Sequence, residues 1–518
     1  MFKHRERGHS LRSKGLTVAV AGALASTTLA ACSAGHTAVP TATSQGVNTL
    51  VVGTTGAPAS LDFTTSSGAA IPTALMGSVY ETLVRIDETG AITPWLAESW
   101  EISPDQTTYT FHLRNDVTFS TGEPFTAETA AWSIRNVTSD AWTNGLKAGM
   151  KLVTDAQALD PHTLQVTLSQ ASTSWLWSMG TLIGAMLHPD HVANLKTEAI
   201  GTGPYMVDGY AVGQAVSYTA NPTYWGTPAH HNKAIVRYFA DATAATNALL
   251  SADIDVLWAA QQPELLNTLT DFAIYQGTTN GEVLLSMNNK AAPFDDVRVR
   301  QAVMYAVDRQ AVIDTAWSGY GTDTGGQPVP PTDPWFEEHN PYPYDPEKAR
   351  QLLAETGLNG TELTVTITVP SLPYAQAISE ILVSQLQHVG FNARIEAAEF
   401  PAVWLNQVMT TKNYQMSLIA HVEARDIPTL FGNPDYYLGY DSPATREALS
   451  RADSGTAEDQ VAAMRDAVGQ IMADAAADTL FNFPNIVIAR PEVTGIDPNV
   501  VTERLPLAAM DTHEEALQ

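Results

Sequence analysis

The stretch LTVTITVPSLPYAQAISEILVSQLQHVGFNARIEA, residues 363–397, indicates a strand, a helix and a second strand in succession. Up to Val369 apolar residues alternate with polar ones, which is the period of a half-buried strand. Apolar residues then recur at helical spacing between Ile378 and Val389, and Gly390 is a favourable helix end. Residues 391–397 are predicted as the second strand. This order predicts a parallel pair with a right-handed crossover, which places this part of the chain in the α/β class.

Two more helices are predicted on either side of this stretch in the second half of the chain. One begins at Asp345-Pro346 and ends at Gly357, with proline at the start and glycine past the end. Another has an apolar face between Val299 and Val307 and follows Asp295-Asp296. The second half is therefore predicted to contain α/β layers.

The first half of the chain has a different pattern. Residues 109–113 and 164–168 alternate between apolar and polar side chains, and clusters of Gly, Pro and Asn separate such runs. These features predict antiparallel hairpins, interrupted by a helix that begins near Thr126. With 518 residues the chain is too long for one ordinary hydrophobic core, so two or more lobes are expected.

The amino terminus has the pattern of an export signal. Basic residues precede an apolar stretch that ends in Leu29-Ala30-Ala31-Cys32, and Cys32 is the only cysteine of the chain. This ending resembles a bacterial lipobox, which predicts a signal peptide over 1–31, lipidation of Cys32 and a flexible tether over 32–47. The protein would then be exported and anchored to the outer face of the cytoplasmic membrane. The alternatives are an ordinary secretory peptide with a chance cysteine and, less favoured because the apolar stretch is short, a transmembrane helix.

Composition and motifs exclude several classes of function. The formal net charge of −28 makes nucleic acid an improbable partner, because binding phosphates needs a basic surface. A single cysteine excludes an internal disulfide. The sequence has no G-x-S-x-G, P-loop or H-E-x-x-H motif. We therefore expect a monomer without catalytic residues, cofactor or resident metal ligands.

Short motifs in the rest of the chain occur in a recognisable order. They are Val51–Thr54, Ser60–Asp62, Val79–Val84, Pro94–Trp100, Tyr109–Arg114, Phe119–Ala127, Gly201–Tyr205, Asn221–Trp225, Phe294–Ala302 and Tyr344–Ala349. Together they resemble the family 5 extracellular solute-binding proteins of bacterial ABC importers, the peptide- and nickel-binding group. The resemblance spans roughly residues 48–490.

This resemblance implies an α/β fold of the two-lobed periplasmic-binding-protein type, cluster C, with an extra subdomain inserted in the first lobe. A solute would be enclosed in the cleft as the lobes close on a hinge, and the closed form would deliver it to a membrane permease. Lobe I is predicted to comprise residues 48–72, 203–290 and 482–518, the extra subdomain residues 73–202, and lobe II residues 291–481.

The resemblance also implies a ligand site after the strand that begins near Tyr414. In peptide-binding relatives this strand ends in a tryptophan, followed closely by an aspartate that binds the peptide amine. Here His421 takes the place of the tryptophan and Ala424 that of the aspartate. Glu423 and Asp426 flank Ala424 and could hold the amine. Arg425 could meet a carboxylate of the solute or hold Glu423 or Asp426 in place.

Three further residues are predicted to line the pocket by the same resemblance: Thr55, Trp142 and Phe400. The alternative interpretation of residues 421–426 is a charged surface turn. The pocket is favoured because the segment follows a predicted buried strand and precedes a proline, as in the family.

The sequence is compatible with three functions. A receptor for a peptide importer comes first, with the peptide amine bound by Glu423 or Asp426. A receptor for a nickel or other metal chelate comes second and is favoured by His421. An exported hydrolase comes last, because no nucleophile and base motif is present.

Overall fold

The computed structural model describes residues 49–66, 68–358 and 363–513. The predicted signal peptide, Cys32 and the tether lie outside the described residues. Within them, no helix is long and apolar enough to cross a membrane.

The described residues contain strands in both halves of the chain. In chain order they are β1 Thr49–Thr54, β2 Val84–Ile86, β3 Ile92–Pro94, β4 Ala97–Ile102, β5 Thr108–Leu113, β6 Val153–Asp160, β7 Thr163–Leu168, β8 Tyr205–Ala211, β9 Ala215–Ala220, β10 Lys233–Tyr238, β11 Val256–Leu257, β12 Ala273–Met287, β13 Thr364–Pro370, β14 Asn392–Ala398, β15 Met416–His421, β16 Ala477–Ala489, β17 Val493–Thr494 and β18 Asp511–Thr512.

The α-helices are concentrated in the second half. In chain order they are α1 Ala70–Leu75, α2 Ala127–Thr138, α3 Thr173–Ser178, α4 Ala242–Leu250, α5 Val297–Ala306, α6 Arg309–Trp317, α7 Pro346–Thr356, α8 Pro373–Val389, α9 Ala402–Trp404, α10 Ile427–Phe431, α11 Pro443–Ser454 and α12 Ala457–Ala473.

A ten-stranded mixed sheet connects the two halves of the chain. Its order is β14, β13, β15, β12, β16, β11, β1, β10, β9, β8. β13 is parallel to both β14 and β15. Helix α8 lies between β13 and β14 in the chain, buries Ile378, Leu382 and Leu386, and ends at Gly390, whose φ is 117°. The strand, helix and parallel strand predicted from residues 363–397 are confirmed.

The other predicted elements are also present. Helix α7 follows Asp345, which caps its first turn, and ends before Gly357. Helix α5 follows Asp296, whose carboxylate accepts from the backbone N–H of Arg298. In the first half, β4, β5, β7 and β6 form a separate antiparallel sheet, and α2 begins after Thr126. This sheet falls within residues 73–202, whose limits as a subdomain stay a prediction.

Strands β12 and β16 form a long antiparallel pair, which we call the crossing ribbon. Over Ala273–Thr278, β12 pairs with the second half of β16, and β16 there also borders β11. Over Glu282–Met287, β12 pairs with the first half of β16 and with β15. The register shifts between Thr278 and Glu282. The ribbon therefore carries the chain from one half of the sheet to the other.

Separate apolar cores lie on the two sides of this shift. One is built from residues between Val283 and Phe481. Another is built from residues between Leu50 and Trp258, together with Val487–Met510. We call the core that contains Leu50 the first core and the core that contains Val283 the second core. The lobe limits given by the sequence stay a prediction.

A buried asparagine donates hydrogen bonds to backbone carbonyls where the crossing ribbon changes register. Asn482 is 1% exposed, and its side-chain amide donates to the carbonyls of Thr279 (3.0 Å) and Gly281 (2.8 Å). Its side-chain oxygen accepts from the hydroxyl of Thr278. These carbonyls lie outside regular ladder pairing, so one side chain replaces the hydrogen bonds that the irregularity removes.

We predict that Asn482→Ala destabilises the protein by about 1–3 kcal/mol, because it removes the amide that donates to the carbonyls of Thr279 and Gly281. Urea unfolding followed by circular dichroism measures this loss. The exposed Asn406→Ala is the control and should stay within about 0.5 kcal/mol of the unmodified protein. Equal stabilities for the two variants would contradict the role assigned to Asn482.

Candidate functional site

The predicted site loop, residues 421–426, lies at one edge of the sheet. His421 is the last residue of β15, Ser371 follows β13, and Phe400 lies just beyond β14. These three strands run parallel, so their carboxyl ends meet at the same edge. The carboxyl edge of parallel strands is where open α/β sheets bind ligands.

His421 is fixed in a buried position. It is 8% exposed, its Nε2 lies 2.9 Å from the Tyr437 hydroxyl, and the two rings are stacked with centroids 5.9 Å apart. Burial lowers the pKa of His421 to about 4, so the imidazole is neutral at neutral pH. The Tyr437 hydroxyl occupies Nε2 of this neutral imidazole, so the other ring nitrogen, Nδ1, can bind a second partner.

Three acidic side chains surround this imidazole, and we call Glu282, Glu423 and Asp426 the carboxylate cluster. Asp426 Oδ2 is 3.9 Å from His421 Nδ1. One donor atom from each of His421, Glu423 and Asp426 lies within 4.8 Å of the others. Glu282 faces His421 directly in the β12–β15 register, so both side chains leave the same face of the sheet.

Burying the carboxylate cluster costs free energy in the unliganded protein. Glu282 is 2% exposed, and its Oε1 has no hydrogen-bond partner. Burial, and secondarily the charge of Asp426, raises the pKa of Glu282 well above its usual range. Burial and Glu423 raise the pKa of Asp426 to about 7. Among the described residues no arginine or lysine forms an ion pair with the cluster, so it is suited to a positively charged group of a ligand.

Arg425 has a different partner from those predicted. Its Nε lies 3.4 Å from Asp333 Oδ1, rather than against Glu423 or Asp426. Burial lowers the pKa of Arg425 to about 10 and raises that of Asp333 to about 6. The guanidinium is therefore charged at neutral pH and compensates Asp333, not the carboxylate cluster.

Arg425 also connects the site loop to the first half of the chain. Its guanidinium carbon is 3.2 Å from the ring centroid of Trp177 and 4.5 Å from that of Trp335. Its Nη2 donates to the carbonyl of Gly90 at 3.2 Å. Ala424 packs on the apolar group of Ile86, Trp177 and Val501. The site loop therefore packs against residues of the first half of the chain, and the Arg425 guanidinium lies close to two indole rings.

The remaining predicted pocket residues come from different parts of the sheet and its surroundings. Thr55 directly follows β1 and is half-buried. Phe400 lies at the same edge as the site loop, packs against Trp404 with ring centroids 6.0 Å apart, and its N–H donates to Ser371. Trp142 is 2% exposed in the first core, edge-to-face with Phe63. The contact of these three residues with a ligand stays a prediction.

Sequence reasoning missed Glu282, Asp333, Trp177 and Trp335. Glu282 had a recognisable signal, because a lone acidic residue there precedes the apolar run Val283–Met287 in a buried strand. The other three carry no local signal. They come close to Arg425 only through contacts between distant parts of the chain.

A mixed sheet with two apolar cores, which meet at a buried charged site, is the architecture of a two-lobed solute-binding protein. The chain belongs to family 5 of the bacterial extracellular solute-binding proteins. A model of that family, described as "Bacterial extracellular solute-binding proteins, family 5 Middle", matches residues 91–438. The family consists of solute-binding proteins of transporters, not of enzymes. The resemblance inferred from the sequence motifs is confirmed.

Relatives in this family bind different solutes. Heme-binding protein A of Haemophilus influenzae is 31% identical over 346 residues, which cover 60% of this chain and 63% of the relative. The nickel-binding periplasmic protein of Escherichia coli is 29% identical over 355 residues, 64% of this chain and 67% of the relative. A putative ABC transporter peptide-binding protein of Brucella ovis is 30% identical over 319 residues, 57% and 58% respectively. The chain thus aligns with less than two thirds of the first and third relatives.

The fold agrees with a solved structure over nearly its whole length. An ABC transporter substrate-binding protein of Listeria monocytogenes superimposes with a TM-score of 0.79 at 20% identity, covering 90% of this chain and 99% of that one. At this identity the likeness concerns the fold alone. It confirms the predicted α/β, two-lobed periplasmic-binding class.

We predict that Arg425→Ala destabilises the protein by about 3–5 kcal/mol at pH 8, because Asp333 would be left as an unpaired buried charge. The loss should shrink as the pH falls through the pKa of Asp333, since a protonated carboxyl needs no cation. Urea unfolding at pH 5 and pH 8 measures both quantities.

The matched control is Arg451→Ala, which removes an exposed ion pair with Asp466 and should cost at most about 1 kcal/mol. Asp333→Asn combined with Arg425→Ala should recover part of the lost stability at pH 8. A loss that is independent of pH would contradict the pairing as the cause.

Proposed function

We propose that the protein is the solute-binding component of an ABC importer, which captures an external solute in the cleft at the site loop and delivers it to a membrane permease. Family membership supports the transport role. The predicted lipidation of Cys32 would keep the receptor near the permease, where capture and delivery occur at high effective concentration. On this proposal the protein acts as a monomer and leaves its solute chemically unchanged.

The solute that fits the site best carries a positive charge, and a peptide with a free amino terminus is the first candidate. The observation that carries this choice is the carboxylate cluster, with the partnerless and buried Oε1 of Glu282. An ammonium group would supply the donors and the charge that the cluster lacks. Glu423 and Asp426 flank Ala424, the position where the resemblance places an amine-binding aspartate. They would bind the amine in place of that aspartate.

Enclosure of the solute would follow from the contacts of Arg425. This residue lies in the second half of the chain, while Trp177 and Gly90 lie in the first half. A solute that binds between them would favour the form in which these contacts are made. A receptor for a metal chelate is the second candidate, supported by the grouping of His421, Glu423 and Asp426 and by the nickel-binding relative.

We predict that peptides with a free amino terminus raise the melting temperature, whereas the same peptides with an acetylated amino terminus do not. At a hundred times the dissociation constant the ligand adds about 2.7 kcal/mol of stability. Asp426→Asn should reduce the shift, and the exposed Asp435→Asn should retain it in full. A broad peptide library without any shift, or equal shifts for free and acetylated peptides, would rule out the peptide assignment.

Peptide affinity should rise between pH 5.5 and pH 7.5. Burial raises the pKa of Asp426 to about 7, so this carboxyl is protonated on the acid side and provides less charge for an ammonium group. Above about pH 8 the peptide amine itself loses its proton, so affinity should fall again. Asp333, which is also acidic and buried with a raised pKa, contributes to the acid side.

Isothermal titration calorimetry over this pH range measures the profile. Asp426→Asn should flatten the acid side of the curve. An acid side that is unchanged in this variant would assign the pH dependence to another group.

A further inference from the structure

Helix α3 makes contacts with both halves of the chain. Trp175 and Leu176 belong to the first core, where the Trp175 ring centroid lies 4.7 Å from that of Tyr109. Trp177, on the same helix, has the guanidinium carbon of Arg425 at 3.2 Å from its ring centroid. The position of α3 therefore decides whether Trp177 meets the site loop.

The amino-terminal end of α3 is bound by an aspartate from the second half of the chain. Asp453, in α11, accepts at Oδ1 from the Ser172 hydroxyl (2.9 Å) and from the backbone N–H of Ser174 (3.0 Å). The first backbone N–H groups of a helix have no partner within the helix. Asp453 thus supplies an acceptor to one of them.

The carboxyl-terminal end of α11 is bound in return by side chains of the first half. The carbonyl of Ala452 accepts from the Thr173 hydroxyl at 2.9 Å, and that of Ser454 accepts from the side-chain amide of Gln106 at 3.1 Å. The last carbonyls of a helix also lack partners within the helix. Gln460 of α12 donates to the Thr173 hydroxyl at 2.8 Å. The two helix ends therefore satisfy each other's backbone groups.

We call this exchange of hydrogen bonds between α3 and α11 the helix-end contact. It joins the first core, which includes Leu176, to the second core, which includes Ala452. Its groups are polar, and they lie at the surface, since Ser174 and Ser454 are exposed and Asp453 is half-buried. Water can replace each partner, so the contact can open at a small cost in free energy.

From these contacts we propose that Asp453 is a positioning residue for solute capture. Asp453 holds α3 against α11, and α3 holds Trp177 against Arg425. The helix-end contact and the contact of the site loop with Trp177 therefore form and break together. Asp453 acts through α3 and not on the solute itself.

The consequence for capture rests on the proposed function and goes beyond it. If the form in which Trp177 meets the site loop is the one that retains a solute, the apparent affinity is proportional to the fraction of the protein in that form. Asp453 sets part of this fraction before any solute arrives. A residue outside the carboxylate cluster thereby contributes to affinity.

The test is hydrogen–deuterium exchange of the full chain without solute, followed by mass spectrometry. Asp453→Ala should speed exchange at least about threefold in residues 172–178 and also in residues 421–431, because both segments depend on the position of α3. Thr173→Val removes the donor to Ala452 and should change the same two segments in the same direction. Asp453→Asn keeps an acceptor at Oδ1 and should stay close to the unmodified protein.

The exposed Asp271→Ala is the matched control and should leave exchange in both segments unchanged. Strands β6 and β7 are the internal reference for a general loss of stability. Faster exchange confined to residues 172–178, or an equal rise in β6 and β7, would overturn the proposed coupling. Equal effects of Asp453→Asn and Asp453→Ala would overturn it as well.

The experiment uses no solute, so its failure and the failure of the proposed function are distinguishable. Unchanged exchange at residues 421–431 in Asp453→Ala would overturn this inference and leave the transport role in place. Failure of every peptide to raise the melting temperature would overturn the peptide assignment and leave the coupling through α3 in place.

Discussion

The rest of the structure depends on the pairing of β12 with β16. This crossing ribbon is the part of the ten-stranded sheet that borders β15 on one side and β11 on the other, so the two apolar cores are joined through it. Its register shifts between Thr278 and Glu282, where Asn482 supplies donors to the freed carbonyls. The hydrogen bonds from Asn482 keep the ribbon intact at this irregularity. Part of the backbone ladder is missing there, so the ribbon bends most easily at this point.

The candidate site is attached to this same irregularity. Glu282 is the first residue of β12 past the register shift and faces His421 across the ladder. Any change of angle at the shift therefore moves Glu282 and the site loop together relative to the first core. Arg425 contacts Trp177 and Gly90, which lie in the first half of the chain. The geometry of the ribbon and the distances within the site are thus linked by direct contacts.

The sequence predicted the local elements well because their signals are local. The helix ends at Gly357 and Gly390 and the helix start after Thr126 agree with the structure, since caps and periodicity act within a few residues. The motif series also led to the correct family. The partner of Arg425 was not predicted, because Asp333 meets it only through tertiary packing. The register shift inside β12 was not predicted for a similar reason: it depends on pairing with β15 and β16, which are distant in the sequence.

Charge balance explains why a solute would control closure on the proposed function. The described residues give Asp333 a cation, Arg425, but give none to the carboxylate cluster. In this structure the contact of Arg425 with Trp177 is favourable, whereas Glu282 and Asp426 are buried without a cation. On the proposed function these two effects oppose each other when the site loop packs against Trp177. A positively charged ligand compensates the charge of the two carboxylates and leaves the contact of Arg425 with Trp177 in place. A ligand that prefers the closed form therefore favours closure.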